Sequence, residues 1–241
     1  MQLTSTGPAR RVAKVLTLLG TAALSATLGL ASSIPSISAQ PAPRLAAGKS
    51  VNPATELQKL QAAAQSESKA TFDITYTSAS SSSSSSQVTF AQKPPDELFK
   101  SGTSVVIYNG KTTYYCSSEK RGTDCASYGS IGDSPLAMVF DVYSASTYIP
   151  IMEGWDTIIS AGIPGFHIGF TSTKFAGQPS ECVTWSYKGS SAKYCVTNSG
   201  ILAYVGGSSS SSSSTFSLTS YSAHVSNSDF KLPRGLKITK I

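Results

Sequence analysis

Residues 181–196, Glu-Cys-Val-Thr-Trp-Ser-Tyr-Lys-Gly-Ser-Ser-Ala-Lys-Tyr-Cys-Val, place two cysteines on either side of a short polar turn in a chain that has only four. No other stretch constrains the fold as tightly. If the two arms pair as antiparallel strands with Tyr187 opposite Ser190, then Trp185 meets Ala192, Val183 meets Tyr194 and Cys182 meets Cys195. Side chains alternate along a strand, so Val183, Trp185, Tyr187, Tyr194 and Val196 share one face and the two cysteines share the other. Directly opposed residues in a non-hydrogen-bonded pair approach closely enough to be bridged. The spacing suits neither a Cys-x-x-Cys redox motif nor a zinc clamp. Cys116 and Cys125 enclose eight small or polar residues, Ser-Ser-Glu-Lys-Arg-Gly-Thr-Asp. A bridge there would hold an otherwise mobile charged loop against a sheet. Four cysteines allow three connectivities; local geometry favours Cys116–Cys125 and Cys182–Cys195 over the crossed pairings, both as structural staples.

Disulfides belong to oxidising compartments, and the start of the chain agrees. Arg10, Arg11 and Lys14 precede a run from Val15 to Ser33 that has no charged residue. That is the layout of a secretory signal or an N-terminal membrane anchor. Small residues at Ser38 and Ala39 suit cleavage near Ala39-Gln40, while the apolar run also approaches the ~20 residues a spanning helix needs. Residues 1–39 are therefore read as signal or anchor, 40–50 as a flexible Pro/Gly-containing linker, and 51–241 as one domain. The expected location is extracytoplasmic, secreted or tethered. Beyond the leader, 16 basic side chains face 13 acidic ones, a net of +3 in place of the whole chain's +6. With no Lys/Arg cluster after the leader, nucleic acid is excluded as a partner.

Asn52-Pro53 reads as an N-cap with proline at the first helical position, and Leu57, Leu60 and Ala64 fall on one side of the helix that follows. Phe72, Ile74 and Tyr76 alternate with polar residues, and Val88 and Phe90 repeat the pattern after the serine tract 80–86, predicting a hairpin with a flexible serine tip. Asn109-Gly110 marks a second hairpin within 104–116. Further strands are predicted over 165–174, 181–187, 192–196, 201–205 and 215–225, the last two joined by the serine run 208–214. Successive short connections describe an antiparallel meander. The middle differs: Asp133-Ser134-Pro135 opens a helical segment through Leu136 to Phe140, and 149–159 is again helical. These two apolar helices either complete the core or cover one face of a curved sheet. The fold class is mainly β with helices, α+β.

Catalytic patterns are missing. His167 and His224 lie in predicted strands with no partners at ligand spacing, and there is no Gly-x-Ser-x-Gly elbow or phosphate loop. Asp96-Glu97 reads as a turn and Glu153 with Asp156 as an exposed helical face. No enzyme, metal or cofactor is expected. What remains is an apolar sheet face under apolar helices, a shape that suits a hydrophobic ligand. The candidate lining is Phe72, Ile74, Tyr76, Val88 and Phe90 of the sheet with Leu136, Phe140, Trp155 and Ile159 of the helices.

The order of these features resembles the LolA-like superfamily of periplasmic and cell-envelope lipoprotein or lipid carriers, which includes the LppX and LprG lipoproteins. The residues that carry the resemblance are Leu57-Gln-Lys-Leu-Gln-Ala-Ala-Ala, Thr71-Phe-Asp-Ile-Thr-Tyr-Thr, the hairpin from Val105 to Cys116, and Phe175-Ala-Gly-Gln-Pro-Ser-Glu-Cys-Val-Thr. It spans Pro53 to Leu232. The resemblance implies an incomplete (half) β-barrel of about ten or eleven antiparallel strands with helices over its concave side. It also implies a non-enzymatic monomer that takes up the acyl chains of a lipid or lipoprotein, with a membrane or envelope protein as partner. The chain departs from lipidated members in having no cysteine at the end of its leader, where a lipid would be attached. Two other readings stay open: an extracytoplasmic interaction module with a filled core, and a hydrolase whose residues converge only in three dimensions.

Overall fold

In a computed structural model, which describes residues 52–119, 122–130, 136–141, 143–232, 236 and 238–240, the domain is one sheet with helices on one face. The expected leader and linker, residues 1–39 and 40–50, and the Asp133-Ser134-Pro135 helix start lie outside the described residues. Helix α1 (Pro53–Gln65) begins as expected, with Asn52 Oδ1 accepting the Ala54 N–H at 3.1 Å and Leu57, Leu60 and Ala64 buried. A 3-10 turn, Glu67–Lys69, leads to β1 (Phe72–Ser80), β2 (Ser83–Lys93), β3 (Asp96–Ser101), β4 (Ser104–Asn109), β5 (Thr113–Glu119) and β6 (Gly122–Ser127). The helical middle holds α2 (Ala137–Asp141), a 3-10 turn (Ala145–Tyr148) and α3 (Ile149–Ser160). Then come β7 (His167–Phe175), β8 (Gln178–Tyr187), β9 (Ser190–Thr197), β10 (Leu202–Ser208), β11 (Ser213–Ser222) and β12 (Ile238–Lys240). Among the described residues no helix is long and apolar enough to cross a membrane.

The strands form one sheet in the order β12-β6-β5-β4-β3-β2-β1-β11-β10-β9-β8-β7. It has two free edges, so it is not closed into a barrel, but it is strongly curled. Cα atoms of β7 and β11 come within 8 Å of each other with three strands between them; at ~4.8 Å per strand a flat sheet would hold them roughly 19 Å apart.

Several local expectations change. The serine tract 80–86 is mostly strand, its tip narrowed to the turn at Ser81-Ser82: Ser78 pairs with Ser86, Ser80 with Ser83 and, on its other side, with Ser214. A ladder of backbone hydrogen bonds needs no apolar side chain when strands lie on both sides. Asp96-Glu97 opens β3 rather than forming a turn, paired to Lys93 and Gln92 of β2. The segment between Cys116 and Cys125 is a hairpin, β5–β6, rather than a loop. The last long strand stops at Ser222, which leaves His224 outside it. The described residues hold twelve strands where ten or eleven were expected, and the twelfth pairs parallel to β6, so the sheet is mixed.

The hairpin read first from the sequence forms in the register derived there, Tyr187 opposite Ser190 and Cys182 opposite Cys195. The structure joins Cys182 to Cys195 across 4.0 Å between Cα atoms, and Cys116 to Cys125 across 4.1 Å. Val183 and Tyr194 are buried under the helices, whereas Cys182 and Cys195 pack on the opposite face with Ala203.

Candidate ligand-binding face beneath the helices

The inward residues of β1–β5 and β8–β11 form one apolar cluster with α1, α2 and α3. It contains all nine candidate lining residues. Phe72, Ile74, Tyr76, Val88, Phe90, Leu136 and Phe140 are buried within it, and Trp155 and Ile159 pack against it half-buried. Rings interlock across the layer: Phe140 lies 5.7 Å from Phe90, and Tyr143 stacks on Phe99 at 5.2 Å and on Tyr76 at 6.2 Å. Side chains of the cover thus occupy the concave face.

The cover is attached through a buried polar joint. Where α1 ends, the β9–β10 loop packs so closely that a Cβ on Gly200, which has φ +86°, would sit 2.3 Å from the Ala63 carbonyl oxygen. Only glycine fits, and the contact fixes the start of the 3-10 turn that carries Glu67. Gln92 Nε2 donates to the Glu67 and Ala70 carbonyls at 2.7 and 3.0 Å, tying that turn to β2. The Glu67 side chain is 3% exposed. Its Oε2 accepts from Ser144 Oγ and from the Ala145 N–H, both at 2.6 Å, at the point where the chain enters the 3-10 turn before α3. Tyr194 completes the joint by donating to the Ala145 carbonyl at 2.7 Å.

Burial pushes the Glu67 carboxyl up to about 7, against the opposing pull of the Ser144 and Ala145 donors and with a further push from Glu97. Glu97 is raised to about 7 as well, by burial and then by the negative charge of Asp141. The Ser144 and Ala145 hydrogen bonds both reach Oε2, while Oε1 is buried without a hydrogen-bond partner among the described residues. Burial also raises the Tyr76, Tyr143, Tyr148 and Tyr194 hydroxyls, which makes them neutral donors and acceptors.

At the open side of the cover, Trp155 of α3 lies 6.3 Å from Trp185 of β8, with Phe166 stacked on Trp185 at 6.2 Å. Helix α3 buries Met152 against the core yet leaves Ile151 50% exposed, and Ile163 just beyond the helix is 39% exposed. Cavities lie on both sides of the sheet. One of about 50 Å³ lies between α1 and β7–β9, beside Leu60, Phe170 and Val196. The other, about 450 Å³, lies on the outer side of the sheet.

Sequence reasoning missed Glu67, Gln92, Ser144 and Tyr143. Glu67 sits in the polar run Gln-Ser-Glu-Ser-Lys, where nothing distinguishes it from a solvated residue; only the tertiary contact buries it. Among the described residues no group of three or more His, Cys, Asp or Glu side chains could hold a metal ion.

No family model and no curated protein matches the chain. Solved structures do. The chain is similar to the MucA/MucB complex of Pseudomonas aeruginosa, with 10% identity over 78% of this chain and a TM-score of 0.48. It spans 64% of the length of that chain. It is also similar to the Mycobacterium tuberculosis lipoprotein LppX, at 9% identity over 72% of this chain and 98% of that one, TM-score 0.38. A LolA superfamily protein from Nitrosomonas europaea follows at 8% identity over 76% of this chain and 99% of that one, TM-score 0.21.

Proposed function

We propose that this protein is a non-enzymatic, extracytoplasmic binder of acyl chains, taking a lipid or lipoprotein chain beneath α2 and α3 as a cell-envelope carrier or sensor. The observation that carries the reading is α3. Its Ile149, Met152 and Ile159 face the core, while on its exposed side Ile151 stands beside Glu153 and Thr157, with Ile163 exposed just beyond the helix. It is attached at its N-terminal end by the Glu67 joint and bordered at its other end by the Trp155, Phe166 and Trp185 rings. Swinging α3 outward would expose a continuous apolar surface, and each methylene buried there contributes about 0.8 kcal/mol. The two disulfides support an oxidising location. A membrane or an envelope protein would receive or supply the chain.

Native mass spectrometry of the full chain purified from a bacterial envelope, followed by organic extraction, tests this. A stoichiometric acyl-bearing ligand is the expected result. Trp155→Asp should abolish its retention while leaving the disulfide-bonded sheet folded. A second reading, an interaction module with a filled core, is favoured by the way Phe140 and Tyr143 fill the concave face. A stable protein that is empty on isolation and ignores added lipid would establish it in place of the first.

A further inference from the structure

The outer side of β2–β5 is overlaid by the segment after β11, with Phe230 closing onto Ala91, Leu98 and Ile107. Beside this contact lies the 450 Å³ cavity, within the roughly 300–1,000 Å³ typical of small-molecule sites. Three chain segments build it. The β2–β3 connection supplies Lys93, Pro94 and Asp96; the β4–β5 hairpin supplies Asn109 and Tyr114; the C-terminal segment supplies Asn227, Phe230, Lys231 and Leu232. The two turns are locked together, because a Cβ on Gly110 (φ +77°) would lie 2.6 Å from the Pro95 ring.

The hydrogen bonds already made inside the protein decide what this cleft offers a ligand. Asn109 Oδ1 accepts from the Lys111 and Thr112 N–H groups at 3.3 and 3.0 Å. Asn227 Oδ1 accepts from Lys93 Nζ at 2.6 Å. Each carboxamide has its oxygen engaged and keeps its NH₂ group to offer. Together with the ammonium groups of Lys93 and Lys231, the lining is rich in donors, and among the described residues Asp96 is its one carboxylate. Pro94, Phe230, Leu232 and the Tyr114 ring add apolar wall. We infer that this cleft binds a small organic anion, a phosphate or carboxylate group carried on an apolar body.

Calorimetric titration of the protein at low salt, with phenyl phosphate and with inorganic phosphate as probes, tests the site. Phenyl phosphate should bind more tightly than inorganic phosphate. Lys231→Met should weaken it roughly tenfold, the scale of one charge-assisted hydrogen bond, and Asp96→Asn should tighten it. Melting temperatures within a degree or so of wild type would show that both variants fold, Lys231 being exposed and Asp96 half-buried. Competition by phosphatidylglycerol vesicles would assign the anion to a lipid headgroup, and no competition to a soluble metabolite; either result upholds the site. No binding of either phosphate at millimolar concentration, or equal affinity in wild type and the Lys93→Met/Lys231→Met double variant, would overturn it. The lining of this cleft shares no residue with the concave face, so the result is independent of acyl-chain binding.

Discussion

Strands β2, β3 and β4 bury both of their faces, against unlike covers. Phe90, Phe99 and Val106 point inward to the helices, while Ala91, Leu98 and Ile107 point outward to the C-terminal segment. The inner cover is a set of helices attached through a buried carboxyl; the outer is a single strap anchored by Phe230. The inner interface is broad, aromatic and joined to the sheet by titratable and hydroxyl groups, which suits a part that moves as a unit. The outer is small and leaves beside it a donor-rich cleft. Alternation with a period of two gives the same three strands two different covers.

The largest expected effects probe the two faces at adjacent positions. Leu98 and Phe99 are each 1% exposed, so Leu98→Ala and Phe99→Ala should each destabilise by about 3 kcal/mol in urea unfolding. Acyl-chain binding should change only with Phe99→Ala and phenyl phosphate binding only with Leu98→Ala. Cross-effects of equal size would mean that the faces are not separate sites.

Next is the pH dependence of the inner joint. The folded-state value of Glu67 is raised from 4.5 to about 7, so between these values the folded protein holds a proton that the unfolded chain has released. Stability therefore falls as pH rises from 4.5 to 7 and levels off above, by about 3 kcal/mol for a shift of this size. Glu67→Gln should remove about half of the observed slope, leaving the comparable contribution of Glu97, which is raised to about 7 as well and has the same sign. A melting-temperature profile across this range checks it; an unchanged slope would remove Glu67 from the account. The smallest effect on stability is expected from Ile151→Ser on the exposed side of α3, within about 0.5 kcal/mol. The same change should slow acyl-chain uptake in a stopped-flow assay, as no change in the strap would.

The sheet was legible where its signal is local. Alternation gave β1 and β8–β10, Asn109-Gly110 gave the β4–β5 hairpin, and the cysteine register gave β8–β9 residue by residue. The serine-rich strand ends were not legible, because their pairing is imposed by neighbouring strands and leaves no apolar pattern. Strand β3 was hidden by Asp96-Glu97, whose charges suggest a turn although Glu97 shares the inward face with Phe99. The candidate lining was legible as a set of apolar residues, since Phe72, Ile74 and Tyr76 define a face. Which cover each face takes was not, and neither was the Glu67 joint, which exists only through contacts between segments far apart in the chain.

The chain's two tryptophans, Trp155 and Trp185, lie side by side where α3 meets β8, so fluorescence excited at the red edge, where tyrosine does not absorb, reports on that place alone. Titration with a brominated fatty acid is the most direct test of a movable cover over an acyl-chain site. Saturable quenching, lost in Trp155→Asp and accompanied by no change in the disulfides, is the predicted result. Fluorescence that stays constant through the titration, in a protein that is folded, would contradict it.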